Sequence, residues 1–158
     1  VVNADPGTHS GRKNMANNFY AALGWSQARI DSHIKAIDCS QSVQIVEIPK
    51  EAILSQWQGP NGNQGNYFAE SDIDPSKLGI SPFVADQFDL NTKIPKINIK
   101  YTCSEPVLAL KSTANPMVDI WSESIAGPEG ENSFVMVKEV ETEGGANQYF
   151  IPNNSSFL

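Results

Sequence analysis

The chain reads as an α+β fold: two helices at its N-terminal end, then a run of short, mostly antiparallel strands. Three observations carry this. Apolar residues recur at three- and four-residue spacing between residues 11 and 37, the repeat of a helix with one buried face. From Val43 onward the pattern changes to alternation at every second residue, the repeat of a pleated strand. The order, helices first and strands after, belongs to α+β domains rather than to alternating, doubly wound ones.

Residues 1–10 form an irregular lead-in with the turn signal Asp5-Pro6-Gly7. In the first helix, Gly11 to Leu23, the buried set is Met15, Ala16, Phe19, Tyr20 and Leu23, and Gly24 stops it. Arg12 lies on the edge of that face. It is either a solvated first-turn residue or a cation aimed at an anionic ligand, which the guanidinium fork suits. Ser26 caps a second helix over 27–37, with a stripe of Ile30, Ile34 and Ile37. His33 falls on the same side, as a core imidazole bonded to a carbonyl or as a catalytic or ligand-binding one.

Val43 to Ile48 is a strand closed by Pro49, while Ile53 to Trp57 fits either a second strand or a helical turn. Gly59 to Gly65 is a loop by composition, feeding a short strand over Asn66-Tyr67-Phe68-Ala69. That arrangement suits a ligand rim and equally an ordinary hairpin. Asp74-Pro75-Ser76-Lys77-Leu78-Gly79 has the cap, first-position proline and terminal glycine of a single helical turn. Residues 81–95 read as irregular. Ile97, Ile99, Tyr101 and Cys103 alternate with Lys96, Asn98, Lys100 and Thr102, a strand whose polar face can be solvated. Val107 to Lys111, Met117 to Trp121 and Phe134 to Val137 are further strands, with a turn at Gly127-Pro128-Glu129-Gly130. Residues 153–158 read as a frayed tail. The expected total is six to eight strands.

The stretch Gly144-Gly145-Ala146-Asn147-Gln148-Tyr149-Phe150-Ile151-Pro152 is the most suggestive. Two glycines make a hinge where backbone can approach a ligand. A strand follows, with Gln148 and Phe150 on one face and Tyr149 and Ile151 on the other, and Pro152 ends it. A single amide is thus held on a rigid element beside a permissive loop, as a small-molecule site requires. The plainer reading is a last strand after a tight turn.

At 158 residues the chain is one domain's length, enough to bury roughly 70% of its unfolded surface. Its net charge is −7 and its only arginines are Arg12 and Arg29. That argues against a surface that tracks nucleic-acid phosphates and suits a protein partner with a basic face. The two cysteines, Cys39 and Cys103, have no metal-ligand spacing and read as buried thiols, although one disulfide remains open. No apolar run reaches the length of a membrane-spanning helix. The chain begins Val1-Val2 rather than with Met, as expected of a processed protein or a piece of a longer one.

Several pieces taken in order resemble a known group. They are Gly11-Arg12, His33 with Ile37-Asp38, Gly65 to Ala69, Leu78-Gly79-Ile80, Lys111-Ser112-Thr113-Ala114, Trp121-Ser122 and Gly144 to Pro152. Together they resemble the C-terminal toxin domains of bacterial polymorphic toxins, in particular polymorphic toxin type 46, over residues 11–152. The resemblance implies an effector carried at the end of a larger contact-dependent or Rhs-type precursor. It implies delivery into the cytosol of a target bacterium and a cognate immunity protein.

The last strand is also similar to that of NAD glycohydrolase toxins and ADP-ribosyltransferases, which implies an ADP-ribosyltransferase-like split β-sheet core. On that pattern Gln148 takes the catalytic position, with Arg12 or His33 supplying what contacts phosphate. Ser112 and Thr113 support the nicotinamide pocket, although Ala114 departs from the usual third Ser. Tyr67, Phe68 or Trp121 forms an aromatic wall, and Gly144 and Gly145 approach the ligand. The implied substrate is NAD or NADP, without a metal. A glutamine is not a base, so hydrolysis is favoured over transfer to a protein or RNA acceptor. The alternative reading is a metal-independent ribonuclease using His33.

Overall fold

Two small cores, one on each face of a four-stranded sheet, organise the molecule. The computed structural model describes residues 3–59, 64–85, 93–120, 124–125, 134–135 and 139–158. Helices α1 (His9–Ala21) and α2 (Gln27–Ile34) come first. Next are β1 (Gln44–Ile48), β2 (Ile53–Gln58), β3 (Tyr67–Phe68), a one-turn helix at Pro75–Leu78, β4 (Phe83–Ala85) and β5 (Lys93–Pro95). The last group is β6 (Ile97–Thr102), β7 (Val107–Thr113), β8 (Val118–Ile120), β9 (Ser124–Ile125), β10 (Phe134–Val135), β11 (Glu139–Glu141) and β12 (Asn147–Phe150).

The central sheet has the order β1–β7–β12–β3, and every pairing in it is antiparallel. Side chains on β7 and β12 therefore alternate between two buried faces. Leu110 and Phe150 point to the helices, where they join Ala16, Tyr20, Ile30 and Ile34. Ala109, Tyr149 and Ile151 point the other way, against Leu54, Phe68 and Phe157. Strand β2 pairs with β6 and is tied to the central sheet by a bridge between Ser55 and Ala69. The α+β reading holds, with antiparallel sheets.

Local chemistry sets the element ends. Thr8 Oγ1 accepts from the Gly11 N–H at 3.1 Å and caps α1, and Ser26 caps α2 in the same way through the Arg29 N–H. The turn at Asp74–Gly79 is built as its sequence predicts, with Gly79 left-handed at φ 76°.

Several expectations need correction. Helix α2 stops at Ile34, because Ile37 is drawn into a bridge with Ala114. Leu23 is 39% exposed, since it lies beyond the end of α1. Residues 83–85 and 93–95 pair as β4 and β5 rather than being irregular, and Pro95 is tolerated at the strand's end. Ile97 is exposed, so the alternation of β6 becomes buried only toward Cys103. The twelve strands among the described residues exceed the expected number, because β4, β5, β9 and β11, of two or three residues each, are too short to show an alternation.

Residues 153–158 do not fray. Asn154–Ser156 makes a helical turn, Phe157 is buried, and Leu158 exchanges backbone hydrogen bonds with Thr102. Cys39 and Cys103 are both buried free thiols, one in each core. Trp121 and the turn expected at 127–130 lie outside the described residues.

Candidate active site

A cleft of about 580 Å³ opens beside the end of α2, between β2, β3 and the one-turn helix. Its volume is that of a small-molecule or cofactor site. His33 and Ala36 form one side, Gln56 and Trp57 another, with Tyr67 and Gln148 between them. None of its described lining residues is Asp, Glu, Lys or Arg.

Gln148 reaches the cleft because β12 pairs with β7. It sits directly across from Ser112 and on the same face as Phe150, toward the helices. Its Nε2 donates to Ser112 Oγ and to the Ala36 carbonyl, each at 3.2 Å. A carbonyl oxygen only accepts, so the amide cannot be turned around. Gln148 is 6% exposed, and no described protein group donates to its Oε1. The amide is clamped through its nitrogen, leaving its oxygen as the acceptor at a cleft wall.

A second group stands beside it. The Tyr67 hydroxyl lies 2.7 Å from His33 Nδ1 and 2.9 Å from the Tyr20 hydroxyl. The His33 and Tyr67 rings are stacked, 5.7 Å apart and 11° from parallel. Trp25 stacks on Tyr20 at 4.8 Å and carries the Arg29 guanidinium 3.7 Å above its own ring. Burial, reinforced by the Arg29 charge, lowers the His33 pKa, so the ring is neutral at physiological pH. Burial pushes the Tyr67 phenol up to about 12 and raises Tyr20 as well.

The profile of the family described as bacterial toxin 46 matches residues 4–157. The chain belongs to that family. It is 28% identical over 150 residues to a Pseudomonas aeruginosa protein named NAD(P)(+) glycohydrolase toxin Tse6. That alignment takes in 94% of this chain and 32% of the relative, so the chain spans about a third of the length of the curated protein it matches. A solved structure titled "Structure of Tse6 in complex with Tsi6" superposes with a TM-score of 0.72 at 24% identity. The superposition covers 95% of this chain and 94% of that one, and shows a shared fold.

In this bacterial toxin 46 domain the sequence-derived residues divide into two groups. Gln148, His33 and Tyr67 meet at the cleft, and Ser112 stands behind Gln148 as its hydrogen-bond partner. Thr113, Gly144 and Gly145 do not line it. The Thr113 carbonyl accepts from the Asp38 N–H at 2.9 Å, which ties β7 to the segment after α2. The glycine hinge packs against neighbouring backbone. Gly144 N–H donates to the Ser76 carbonyl and Gly145 N–H to the Ala114 carbonyl, both residues having positive φ.

Arg12 is likewise not brought to the cleft. Its Nε and Nη2 grip the Asp5 carboxylate at 2.9 and 3.2 Å, and its Nη1 donates to the Cys39 and Ser40 carbonyls. The guanidinium fastens the lead-in to the segment after α2. Its hydrogen bonds hold the Asp5 pKa below the ordinary value, so this contact is present at neutral pH and fades as pH falls through that lowered pKa. Arg12→Ala is therefore expected to lower the denaturation midpoint at pH 7, and by less in acid, with turnover unchanged. Chemical denaturation at two pH values checks it.

Sequence reasoning missed Gln56, Trp57, Ile80 and Met117, all at the cleft. Gln56 is nearly buried; it donates to the Tyr67 carbonyl at 2.6 Å and accepts from the Gly65 N–H at 2.8 Å, binding β2 to the rim loop. Trp57 Nε1 donates to the Ile73 carbonyl at 2.9 Å. The available signal was the run Ser55-Gln56-Trp57-Gln58. Consecutive polar groups inside a strand either face water on an edge or line a cavity.

Proposed function

We propose that this domain is a toxin that consumes NAD or NADP by hydrolysing the bond between nicotinamide and ribose. The observation that carries the reading is the clamped amide of Gln148, whose unpaired Oε1 borders a cleft of suitable volume. The relative named NAD(P)(+) glycohydrolase toxin Tse6 supports the same reaction. The nicotinamide of NAD is already cationic and leaves as a neutral base, so the cleft needs no general acid. What assists is orientation of the ribose as positive charge develops at its anomeric carbon. Gln148 Oε1 accepts a ribose hydroxyl and holds the sugar in place. Water then forms the new bond to that carbon, the pair of electrons from the broken bond goes to the ring nitrogen, and the proton goes to solvent. With no described carboxylate in the lining to activate a protein or RNA acceptor, hydrolysis is favoured over transfer.

The pyrophosphate of the substrate calls for a cation, and Arg29 is the best placed. It is exposed one helical turn before His33, and its charge acts on both His33 and Tyr67. It takes the phosphate-contacting role for which the sequence offered Arg12 or His33. Arg29→Ala is expected to raise KM for NAD about tenfold, the worth of one charge-assisted hydrogen bond. Nicotinamide riboside, which lacks the phosphates, should be almost unaffected; equal losses on both substrates would refute the assignment.

On this reading the sheet β1–β7–β12–β3 is part of an ADP-ribosyltransferase-like split core. The domain is carried by a larger precursor into the cytosol of a target bacterium, by a contact-dependent or Rhs-type route. A cognate immunity protein blocks it; the structure titled "Structure of Tse6 in complex with Tsi6" supports the presence of a bound partner, and no more. The direct test is incubation with NAD in ¹⁸O-labelled water, followed by mass spectrometry. Free nicotinamide with one labelled oxygen in ADP-ribose is the expected result. Intact NAD, or ADP-ribose attached to protein, would overturn it.

A further inference from the structure

Tyr20 is fully buried in the helix-side core, and the only partner of its hydroxyl among the described residues is the Tyr67 hydroxyl at 2.9 Å. Tyr67 in turn bonds His33 Nδ1 at 2.7 Å. Three protons are shared along this row, one on each phenol and one on the neutral imidazole. If the ring proton sat on Nδ1, it would point at the Tyr67 oxygen, and the single contact between the two hydroxyls could use only one phenol proton. The other, on Tyr20 or on Tyr67, would have no acceptor among the described residues, an arrangement that buried hydroxyls avoid. In the opposite direction every proton is used. Tyr20 donates to Tyr67, Tyr67 donates to Nδ1, and the ring proton is left on Nε2.

We infer that Tyr20, acting through Tyr67, locks His33 in the Nε2–H tautomer and makes it a neutral hydrogen-bond donor toward an acceptor oxygen of the dinucleotide. The substrate half of this inference rests on the proposed NAD(P) cleavage. Nε2 is available for the task. No described group pairs with it, and the one buried side-chain nitrogen or oxygen lacking a partner among the described residues is Asn98 Oδ1, so Nε2 is open to solvent. His33 itself lines the cleft. A neutral donor is the useful species there, because an imidazolium would repel the positive charge growing on the ribose. The lowered His33 pKa and raised phenol pKa values keep all three groups neutral through the physiological range. Tyr20 touches no substrate and is a positioning residue.

The chain has two histidines, His9 and His33, so long-range ¹H–¹⁵N spectra of the ¹⁵N-histidine-labelled protein separate them, with exposed His9 as the internal reference. In the wild type, His33 is expected to show a protonated, pyrrole-type Nε2 and an unprotonated, pyridine-type Nδ1. Tyr20→Phe keeps the ring that stacks on Trp25 and removes only the hydroxyl. It should populate the Nδ1–H form and reduce kcat/KM for NAD about tenfold. An Nδ1–H His33 in the wild type, or a tautomer unmoved by Tyr20→Phe, would overturn the lock.

Titrations with nicotinamide and with ADP-ribose, run separately, identify the oxygen. A shift of Nε2–H with the first assigns the carboxamide and with the second a phosphate or ribose oxygen; no shift with either refutes the substrate contact. The two readings fail separately. A locked Nε2–H ring in a protein that leaves NAD intact sinks the reaction and keeps the relay. Cleavage of NAD by a protein with an Nδ1–H ring does the reverse.

Discussion

Gln148→Ala is expected to lower kcat/KM for NAD by about 10²- to 10³-fold, the usual effect of removing one preorganised group that meets the transition state. The size of the loss follows from how the side chain is held. Both Nε2 protons are committed, to Ser112 Oγ and the Ala36 carbonyl, so the oxygen is presented at a fixed angle rather than found by chance. The same clamp makes glutamate a poor replacement. An ionised carboxylate has no proton for the Ala36 carbonyl and would set two acceptors against each other. Gln148→Glu is therefore expected to be impaired as well. Thermal unfolding must be measured beside turnover, because the substitution also strips a hydrogen bond from Ser112. A well-folded variant with unchanged turnover would remove Gln148 from the site.

Gly144→Ala should cost about 3 kcal/mol or more of folding stability, because two penalties combine. The residue has φ of 67°, a left-handed conformation costing an L-residue ~1–2 kcal/mol. A β-carbon there would also stand 2.5 Å from the Pro116 nitrogen and 2.7 Å from the Ala114 carbonyl oxygen. These are backbone atoms of the segment after β7 and cannot rotate away, so overpacking adds roughly 1–3 kcal/mol. Gly145 is the control. Its φ is 97°, but a β-carbon added there would meet nothing within 4 Å, so Gly145→Ala should lose only the conformational share. Urea denaturation of the two variants separates strain from collision. Equal losses would mean that the close approach at Gly144 is absent.

Much of this is legible in the sequence because the signals are local. The caps at Ser26 and Asp74 and the alternation of Gln148 and Phe150 against Tyr149 and Ile151 all act within a few residues. They survive folding unchanged. What cannot be read is set by pairings between distant segments. Arg12 has the right chemistry for a phosphate, yet Asp5 and two carbonyls after α2 claim it first. Gly144 and Gly145 carry the signature of a ligand hinge, and the same freedom of φ serves close packing on β7's exit instead. Phe157 reads as part of a polar tail because its pocket, beside Phe68 and Cys103, is assembled from three separate segments. Gln56 is hidden for a similar reason. Its role depends on β2 lying against the rim at Gly65 and Tyr67, a contact that no periodicity announces.

The most direct test is a crystal of the domain with an NAD analogue whose ribose ring oxygen is replaced by a methylene, which resists cleavage. The result predicted is the analogue in the cleft, a ribose hydroxyl about 3 Å from Gln148 Oε1 and the nicotinamide withdrawn from bulk water. An analogue seated elsewhere, or a ribose turned away from that oxygen, would contradict it.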